Sequence, residues 1–185
     1  KILQDGDISF VPSLPQRKSN AISDTIIWEG FKAFFEFSEK FYDDNYEFDI
    51  TPESDGEKIY YDAAYGQDST KNILGLFVVG KPALDFTSLS DDALRDFILY
   101  ELDELYSNQA TLNYVKHITQ DWDNEPFIKA GYMTDNADED TVRKLGESIA
   151  GKINFAGGAY TDGEDWVSVH AAALSAKKSI QEILT

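Results

Sequence analysis

The clearest hydrophobic pattern in the chain is an alternation over residues 25–38, TIIWEGFKAFFEFS. Phe31, Phe35 and Phe37 stand at odd positions, whereas the even positions mix apolar and charged side chains, including Lys32. Because the side chains of a strand alternate between its two faces, this pattern predicts a long strand with one apolar face and one mixed face.

Four further segments have strand character. Residues 46–51 and 57–65 are joined by the turn sequence TPESDG, which predicts a hairpin. Residues 73–80, ILGLFVVG, form a continuous apolar run that is typical of a strand covered on both faces. Residues 111–122 are predicted to form another strand.

Helical spacing is clearest after Ser90, a residue type that caps helices well. Leu94, Ile98 and Leu102 follow at intervals of four residues. A second helix is predicted after the acidic segment 135–140. Near the N-terminus, prolines exclude a helix over residues 12–15, and only a brief helical turn is expected over residues 19–23.

The C-terminal segment, residues 152–184, predicts a short strand, a glycine-rich turn and a helix rich in small residues. Together the elements predict an α+β fold: a mostly antiparallel or mixed sheet with helices packed on it, ending in this strand–turn–helix. A boundary is expected near Gly151, which would separate residues 1–150 from residues 151–185.

The composition narrows the class of partner. The 185 residues include 34 acidic and 16 basic side chains, giving a formal net charge of −18, and no cysteine. A surface with this much negative charge repels phosphate backbones and anionic lipids, which argues against nucleic acid and membrane partners. Because no apolar run approaches the roughly 18 residues of a membrane span, we expect a soluble, cytoplasmic protein.

Common catalytic and metal-binding motifs are missing from the sequence. It contains neither a P-loop nor G-x-G-x-x-G. His117 and His170, the two histidines, show no spacing that indicates a nucleophile or a metal pair. The acidic segment 135–140, DNADED, lacks the glycine of a calcium loop and predicts a helix cap. We therefore expect no metal site.

The glycine-rich turn NFAGGAYT and the small residues that open the following helix remain as a candidate site. Helix N-termini present unpaired backbone N–H groups, which bind anions and electron-rich oxygens. Spacing alone leaves two readings open, which are tight packing of the chain on itself and contact with a ligand.

Four blocks of sequence, in order, resemble the flavin-dependent amine oxidases, a family that includes monoamine and polyamine oxidases and lysine-specific histone demethylases. The blocks are DISFVPSLPQRKSNAI, FKAFFEFSEKFYDDN, WDNEPFIKAGYMT, and NFAGGAYT followed by SVHAAALSAKKSIQEIL. The resemblance implies that residues 1–150 belong to a substrate-binding domain. It also implies that residues 151–185 are the last strand–turn–helix of an FAD-binding domain.

The same resemblance implies a reaction: oxidation of a small-molecule amine, with hydride transfer to FAD and formation of peroxide. Lys32 matches the family lysine that reaches the flavin N5 through a water, which would make it the catalytic residue. Trp122 and Tyr132 match aromatic residues of the substrate pocket. A solvated lysine and ordinary core aromatics are the alternatives for these three positions.

Four residues match cofactor-binding positions of the family. Gly157 matches the glycine that allows the backbone to approach the flavin, and Val169 matches the residue whose N–H meets the flavin ring. Ser168 stands where the family has threonine. Gly158 stands where the family has a glutamate that binds the sugar chain of FAD, so one charged hydrogen bond of the family is missing.

No counterpart of the family's Rossmann segment occurs, and we therefore expect the chain to be the C-terminal portion of a longer enzyme. Alone it should be colourless and inactive. Apolar surface on its last helix, around Val169, Ala173, Ala176 and Ile180, should be covered by a second copy or by another segment. Two alternatives are a related desaturase or oxidoreductase with a non-amine substrate, and a cofactor-free binding or structural domain, which Gly158 favours.

Overall fold

The computed structural model of the chain describes residues 1–43, 55–131, 133–134, 138–163 and 166–185, together with the backbone of residues 47–49. Its helices and strands are, in chain order, α1 (Gln16–Asp24), β1 (Gly30–Phe37), β2 (Glu47–Asp49), β3 (Gly56–Asp62), β4 (Asn72–Gly80), α2 (Ala83–Thr87), α3 (Asp91–Leu105), α4 (Gln109–Asn113), β5 (Tyr114–Asp121), α5 (Glu139–Gly146) and α6 (Val169–Leu184).

The chain divides into two compact units. The sheet unit is Trp28–Gly131, and the helical unit combines Lys1–Ile27 with Tyr132–Thr185. The functional assignment of residues 1–150 and 151–185 to two domains stays a prediction.

The sheet unit contains five strands in the order β2-β3-β4-β1-β5, and every neighbouring pair is antiparallel. The predicted hairpin is confirmed, since β2 pairs with β3 from Glu47 opposite Tyr60 to Asp49 opposite Lys58. An antiparallel sheet with helices packed on it is therefore confirmed, whereas the origin of the last strand–turn–helix in an FAD-binding domain stays a prediction.

The alternation in β1 has the predicted consequence. Phe31, Phe35 and Phe37 are buried in the main core together with residues of β4 and α3, such as Leu76 and Ile98. The even positions of β1 lie on the opposite side of the sheet and are only half-buried apart from the tightly packed Gly30 at its start. This side, away from α3, is called the open face below.

Strand β1 is shorter than the predicted segment of 14 residues because its beginning is used for other contacts. The backbone oxygen of Trp28 accepts a hydrogen bond from Gly131 N, and that of Glu29 accepts one from Gly80 N. Ile27 forms an isolated bridge with Met133. The continuous apolar strand β4 is buried on the α3 side, while Ile73 and Phe77 on the open face are half-buried.

Helix α3 starts as predicted, with the Ser90 side chain accepting a hydrogen bond from Ala93 N. The strand predicted over residues 111–122 is wrong in its first part. Residues 109–113 form α4, since Ala110 is buried in the main core and the Asn113 side chain donates to the Gln109 oxygen. Strand β5 begins only at Tyr114.

In the helical unit, α1 is a nine-residue helix rather than a brief turn. Burial of Lys18, Ala21 and Ile22 stabilises it beyond what its polar sequence indicates. The predicted strand after residue 151 is also wrong. There the described backbone forms only an isolated bridge between Ile149 and Ile153, followed by turns.

The acidic cap is confirmed in part. The Asp138 carboxylate accepts hydrogen bonds from the Thr141 N–H and hydroxyl at the start of α5, whereas residues 135–137 lie outside the described part of the chain. No described helix is long and apolar enough to cross a membrane.

Candidate functional site

The strand register places a set of aromatic and aliphatic side chains around Lys32 on the open face. Lys32 is opposite Phe77 of β4 and Gln120 of β5. One row further along, Phe34 is opposite Gly75 and Ile118. Opposed residues of antiparallel strands point to the same side, so these side chains share one surface.

The Lys32 side chain is half-buried, and its Nζ lies 5.2 Å from the centroid of the Phe77 ring. Among the described residues its ammonium has no hydrogen bond or ion pair. A charged lysine that runs along an aromatic surface with no carboxylate partner remains available to bind a water or a ligand.

Tyr61 forms a second aromatic element of the open face and was missed in the sequence analysis. Its ring lies across Gly75, since a Cβ on Gly75 would come 2.4 Å from the ring carbon Cζ. The Phe34 ring meets it edge-on, with 6.4 Å between centroids. Burial raises the pKa of the Tyr61 hydroxyl, so this phenol stays neutral at physiological pH. The pairing of residues 61 and 75 in adjacent strands could have indicated the contact.

Trp122 directly follows β5 and is held at the start of β1. Its N–H donates to the Gly30 oxygen at 2.9 Å. The backbones of Gly30 and Gly131 touch there, since a Cβ on Gly30 would lie 2.6 Å from Gly131 Cα. Trp122 therefore extends the open face by one row beyond Lys32. Tyr132, the other predicted pocket aromatic, lies outside the described residues.

The remaining predicted residues belong to the helical unit, where the glycine-rich turn is fastened to α6. The Ser175 hydroxyl donates to the Tyr160 oxygen and accepts from Gly157 N, and Ser179 donates to the Phe155 oxygen at 3.0 Å. Gly157 has φ +146°, a conformation that side chains rarely adopt. Here glycine serves the backbone conformation, and its role in approach to a flavin stays a prediction.

Gly158 differs from Gly157 in this respect. Its φ lies outside the left-handed region, and a Cβ there would meet nothing closer than 3.6 Å, an ordinary contact. Its oxygen accepts a hydrogen bond from Val167 N at 2.9 Å, which closes the loop between the turn and α6. The missing glutamate side chain is therefore a chemical difference that the backbone does not require.

The side chain of Ser168 caps the start of α6. The Ser168 side chain accepts from Ala171 N at 3.2 Å, and Val169 at the first helical position is 90% exposed. Further along, Ala173 and Ile180 are exposed as well. Ala176, the fourth residue of the expected apolar surface, is half-buried, so the expectation agrees with the exposures of the other three.

Two polar atoms beside the turn fit a bound cofactor. Asn154 Oδ1 and Trp166 Nε1 are both shielded from solvent and have no hydrogen-bond partner among the residues that the structure describes. Groups of this kind are rare in folded proteins and call for an explanation. Together with the exposed first turn of α6, they give the turn free donors and acceptors of the kind that a flavin needs.

The sequence pattern also did not indicate the contacts of Lys18, which hold the end of α5 in place. Its ammonium donates to the backbone oxygens of Lys144, Leu145 and Glu147 at the end of α5, and it lies over the Phe155 ring. Burial lowers its pKa to about 8, against the opposing charge of Glu147, so that it remains mostly protonated at pH 7.

The described residues contain no cluster of side chains suited to a metal.

Comparison with known proteins identifies the class of protein to which this fold and these residues belong. The family described as "Flavin containing amine oxidoreductase" matches residues 1–184. The chain therefore belongs to the flavin-containing amine oxidoreductase family, in agreement with the resemblance noted in the sequence.

Individual relatives are longer proteins. Lysine-specific histone demethylase 1B of Mus musculus is 25% identical over 164 residues, which are 85% of this chain and 20% of the relative. Wild-type putrescine oxidase bound to putrescine matches with a TM-score of 0.67 and 16% identity, covering 98% of this chain and 41% of that structure. Cyclohexylamine oxidase from Brevibacterium oxydans IH-35A matches with a TM-score of 0.62 and 17% identity, over 95% of this chain and 41% of that structure.

The two solved structures are too distant in sequence to show more than a common fold. The chain spans about a fifth of the demethylase and two fifths of these oxidases.

Proposed function

We propose that the chain carries the substrate-facing sheet and the flavin-contacting turn of an FAD-dependent enzyme that oxidises a small-molecule amine. The observation that carries this proposal is the placement of Lys32, the position that matches the family's active-site lysine. It lies on an aromatic open face with its ammonium unpaired among the described residues.

FAD would supply the redox chemistry, which is removal of a hydride from the carbon beside an uncharged amine and transfer of the electrons to oxygen as peroxide. Lys32 would hold a water at the flavin N5 and place a positive charge where reduced oxygen develops negative charge. Phe34, Tyr61, Phe77 and Trp122 would pack against the apolar body of the amine and exclude bulk water. Tyr132 is proposed as a further pocket residue.

The helical unit would hold the flavin end of FAD. Gly157 would allow close approach of the backbone, and the N–H of Val169, next to the Ser168 cap, would donate to the ring. At Gly158 the contact with the sugar chain would be weaker than a charged hydrogen bond. In this assignment residues 1–150 belong to the substrate-binding domain and residues 151–185 to the FAD-binding domain.

A cofactor-free binding module is the second candidate, because Gly158 supplies no carboxylate. A flavoenzyme with a non-amine substrate is the third, because the open face around Lys32 is largely apolar. The three candidate functions differ in whether the protein is coloured by flavin and whether it forms peroxide from amines.

The test uses the protein together with any sequence that flanks residues 1–185. Visible absorbance reports bound flavin, and a panel of amines with peroxide detection reports the reaction. A yellow protein that makes peroxide from amines supports the proposal. A yellow protein that oxidises no amine favours the non-amine alternative, and a colourless protein that cannot be reconstituted with FAD overturns it.

A further inference from the structure

Asn154 and Trp166 carry an unexplained pair of polar atoms. Asn154 Oδ1 can only accept a hydrogen bond, and Trp166 Nε1–H can only donate one. Both are shielded from solvent and find no partner in the described part of the chain, although a buried polar group without a partner destabilises the fold.

Asn154 is the first residue of the glycine-rich turn, and Trp166 is connected to the turn through its neighbour Val167. Asn154 lies three positions before Gly157 in the chain. Trp166 immediately precedes Val167, whose N–H bonds to the Gly158 oxygen at 2.9 Å. The free acceptor and the free donor thus stand on the two chain segments that this hydrogen bond joins at the candidate flavin site.

Packing explains the body of Trp166 but leaves its N–H without a role. The indole packs against the core cluster of the helical unit, which includes Ile22 and Val142. A phenylalanine could fill much of that volume without burying an unpaired donor. A ligand with a complementary acceptor would account for the indole nitrogen.

We propose that Trp166 and Asn154 are cofactor-binding residues beyond those matched by the family motif, an inference that rests on the proposed function. The indole N–H of Trp166 donates to an oxygen or nitrogen acceptor of the flavin or its sugar chain. The side-chain oxygen of Asn154 accepts from a hydroxyl or N–H of the same group. The pair supplies contacts on the side of the turn where Gly158 lacks a carboxylate.

The test is a titration of the ¹⁵N-labelled protein, together with any sequence that flanks residues 1–185, with FAD up to millimolar concentration, followed by amide NMR. The indole N–H signals of tryptophan lie apart from the backbone amides, and loss of one signal in the Trp166→Phe variant assigns Trp166. We expect FAD to shift this signal together with the Gly157 and Val169 amides. ADP, which lacks the flavin and its sugar chain, should leave all three unchanged.

Three variants separate binding from folding. Trp166→Phe and Asn154→Leu should weaken FAD binding about tenfold, the effect of losing one hydrogen bond in a shielded site. Asn154→Asp keeps an acceptor and should retain binding within about threefold. Without FAD, Asn154→Leu should unfold at the same temperature as the parent chain or higher, because it replaces an unpaired buried acceptor with an apolar side chain of similar volume.

The outcomes distinguish this inference from the proposed function. If FAD shifts the Gly157 and Val169 amides but not the Trp166 indole, the inference is wrong and the flavin site stands. If FAD shifts none of them, both are wrong. A marked loss of stability in Asn154→Leu without FAD would show that the Asn154 side chain has a structural partner and would also overturn the inference.

Discussion

The ammonium of Lys18 lies 3.7 Å from the centroid of the Phe155 ring. Through this contact, α1 and the end of α5 are linked to the second residue of the glycine-rich turn. The three donors of the ammonium are used by three backbone oxygens at the end of α5, so that the contact with Phe155 completes the surroundings of a buried charge.

Lys18→Met should lower the free energy of unfolding by about 2–4 kcal/mol, because it leaves buried carbonyl oxygens without a donor. Urea unfolding followed by circular dichroism measures this change. Arg17→Met is the matched control, since Arg17 pairs with Glu147 at the surface, and it should cost less than about 1 kcal/mol. Equal effects of the two substitutions would contradict the structural role of Lys18.

Glu36 should make the free energy of unfolding depend on pH in the acidic range. A hydrogen bond from Lys71, aided by Lys116, lowers the pKa of its carboxyl in the folded chain. As the pH falls below the unfolded pKa, the unfolded chain therefore binds more protons than the folded chain does. The stabilisation from Glu36 is therefore present above that pKa and is lost as the pH falls through the folded pKa.

Glu36→Gln should accordingly flatten the fall of stability between about pH 5 and pH 3. Thermal unfolding at a series of pH values measures it. Glu39→Gln, at an exposed position three residues away, serves as the control and should leave the slope unchanged. A slope that Glu36→Gln does not alter would show that the ion pairs contribute nothing.

Gly75→Ala should destabilise the sheet unit by about 1–3 kcal/mol, because the new methyl group would overlap the Tyr61 ring. In a Tyr61→Ala background the same substitution should cost much less, since the ring is absent. A double-mutant cycle by denaturant unfolding gives the coupling between the two positions. Additive effects would mean that Tyr61 does not lie on Gly75.

Gly158→Glu should restore the family's missing carboxylate without a cost in stability, because the backbone and the space at this position accept a side chain. We expect it to strengthen FAD binding, by up to about 1.5–3 kcal/mol if a charged hydrogen bond forms. Gly157→Ala is the contrasting variant and should destabilise the turn, since φ there is +146°. Flavin fluorescence measures binding, and unchanged affinity in Gly158→Glu would argue against the sugar-chain contact.

Much of the sheet unit could be predicted from local pattern. The alternation that ends at Phe37 and the cap at Ser90 each depend on neighbours in sequence, and both gave correct elements. Helix α4 was missed because it depends on burial of Ala110, a tertiary effect that overrides the β-branched and aromatic residues nearby. The expected strand at Ile153 failed because an apolar segment alone supplies no pairing partner.

In the candidate site, too, some residues could be predicted from the sequence and others depend on the fold. Lys32 could be placed on the mixed face of a strand from the alternation, and the family resemblance supplied its role. Lys18 looks like any surface lysine in the sequence, and only the fold brings the end of α5 around it. The unpaired atoms of Asn154 and Trp166 were equally hidden, since a missing partner is a property of packing.

The central claim is that Lys32 acts at the flavin, and Lys32→Met in the FAD-loaded protein tests it most directly. Stopped-flow absorbance measures reoxidation of the reduced flavin by oxygen, and substrate binding is measured in parallel. Lys71→Met is the control, because Lys71 is an exposed lysine whose ammonium is paired with Glu36.

We expect reoxidation to slow by about tenfold or more in Lys32→Met, since a positive charge and a held water assist the transfer of electrons to oxygen. Substrate affinity should change by less than about twofold, which is a change in binding free energy smaller than RT. Lys71→Met should match the parent protein in both. Reoxidation by Lys32→Met at the parent rate would contradict the account and leave Lys32 a solvated lysine on a half-buried strand.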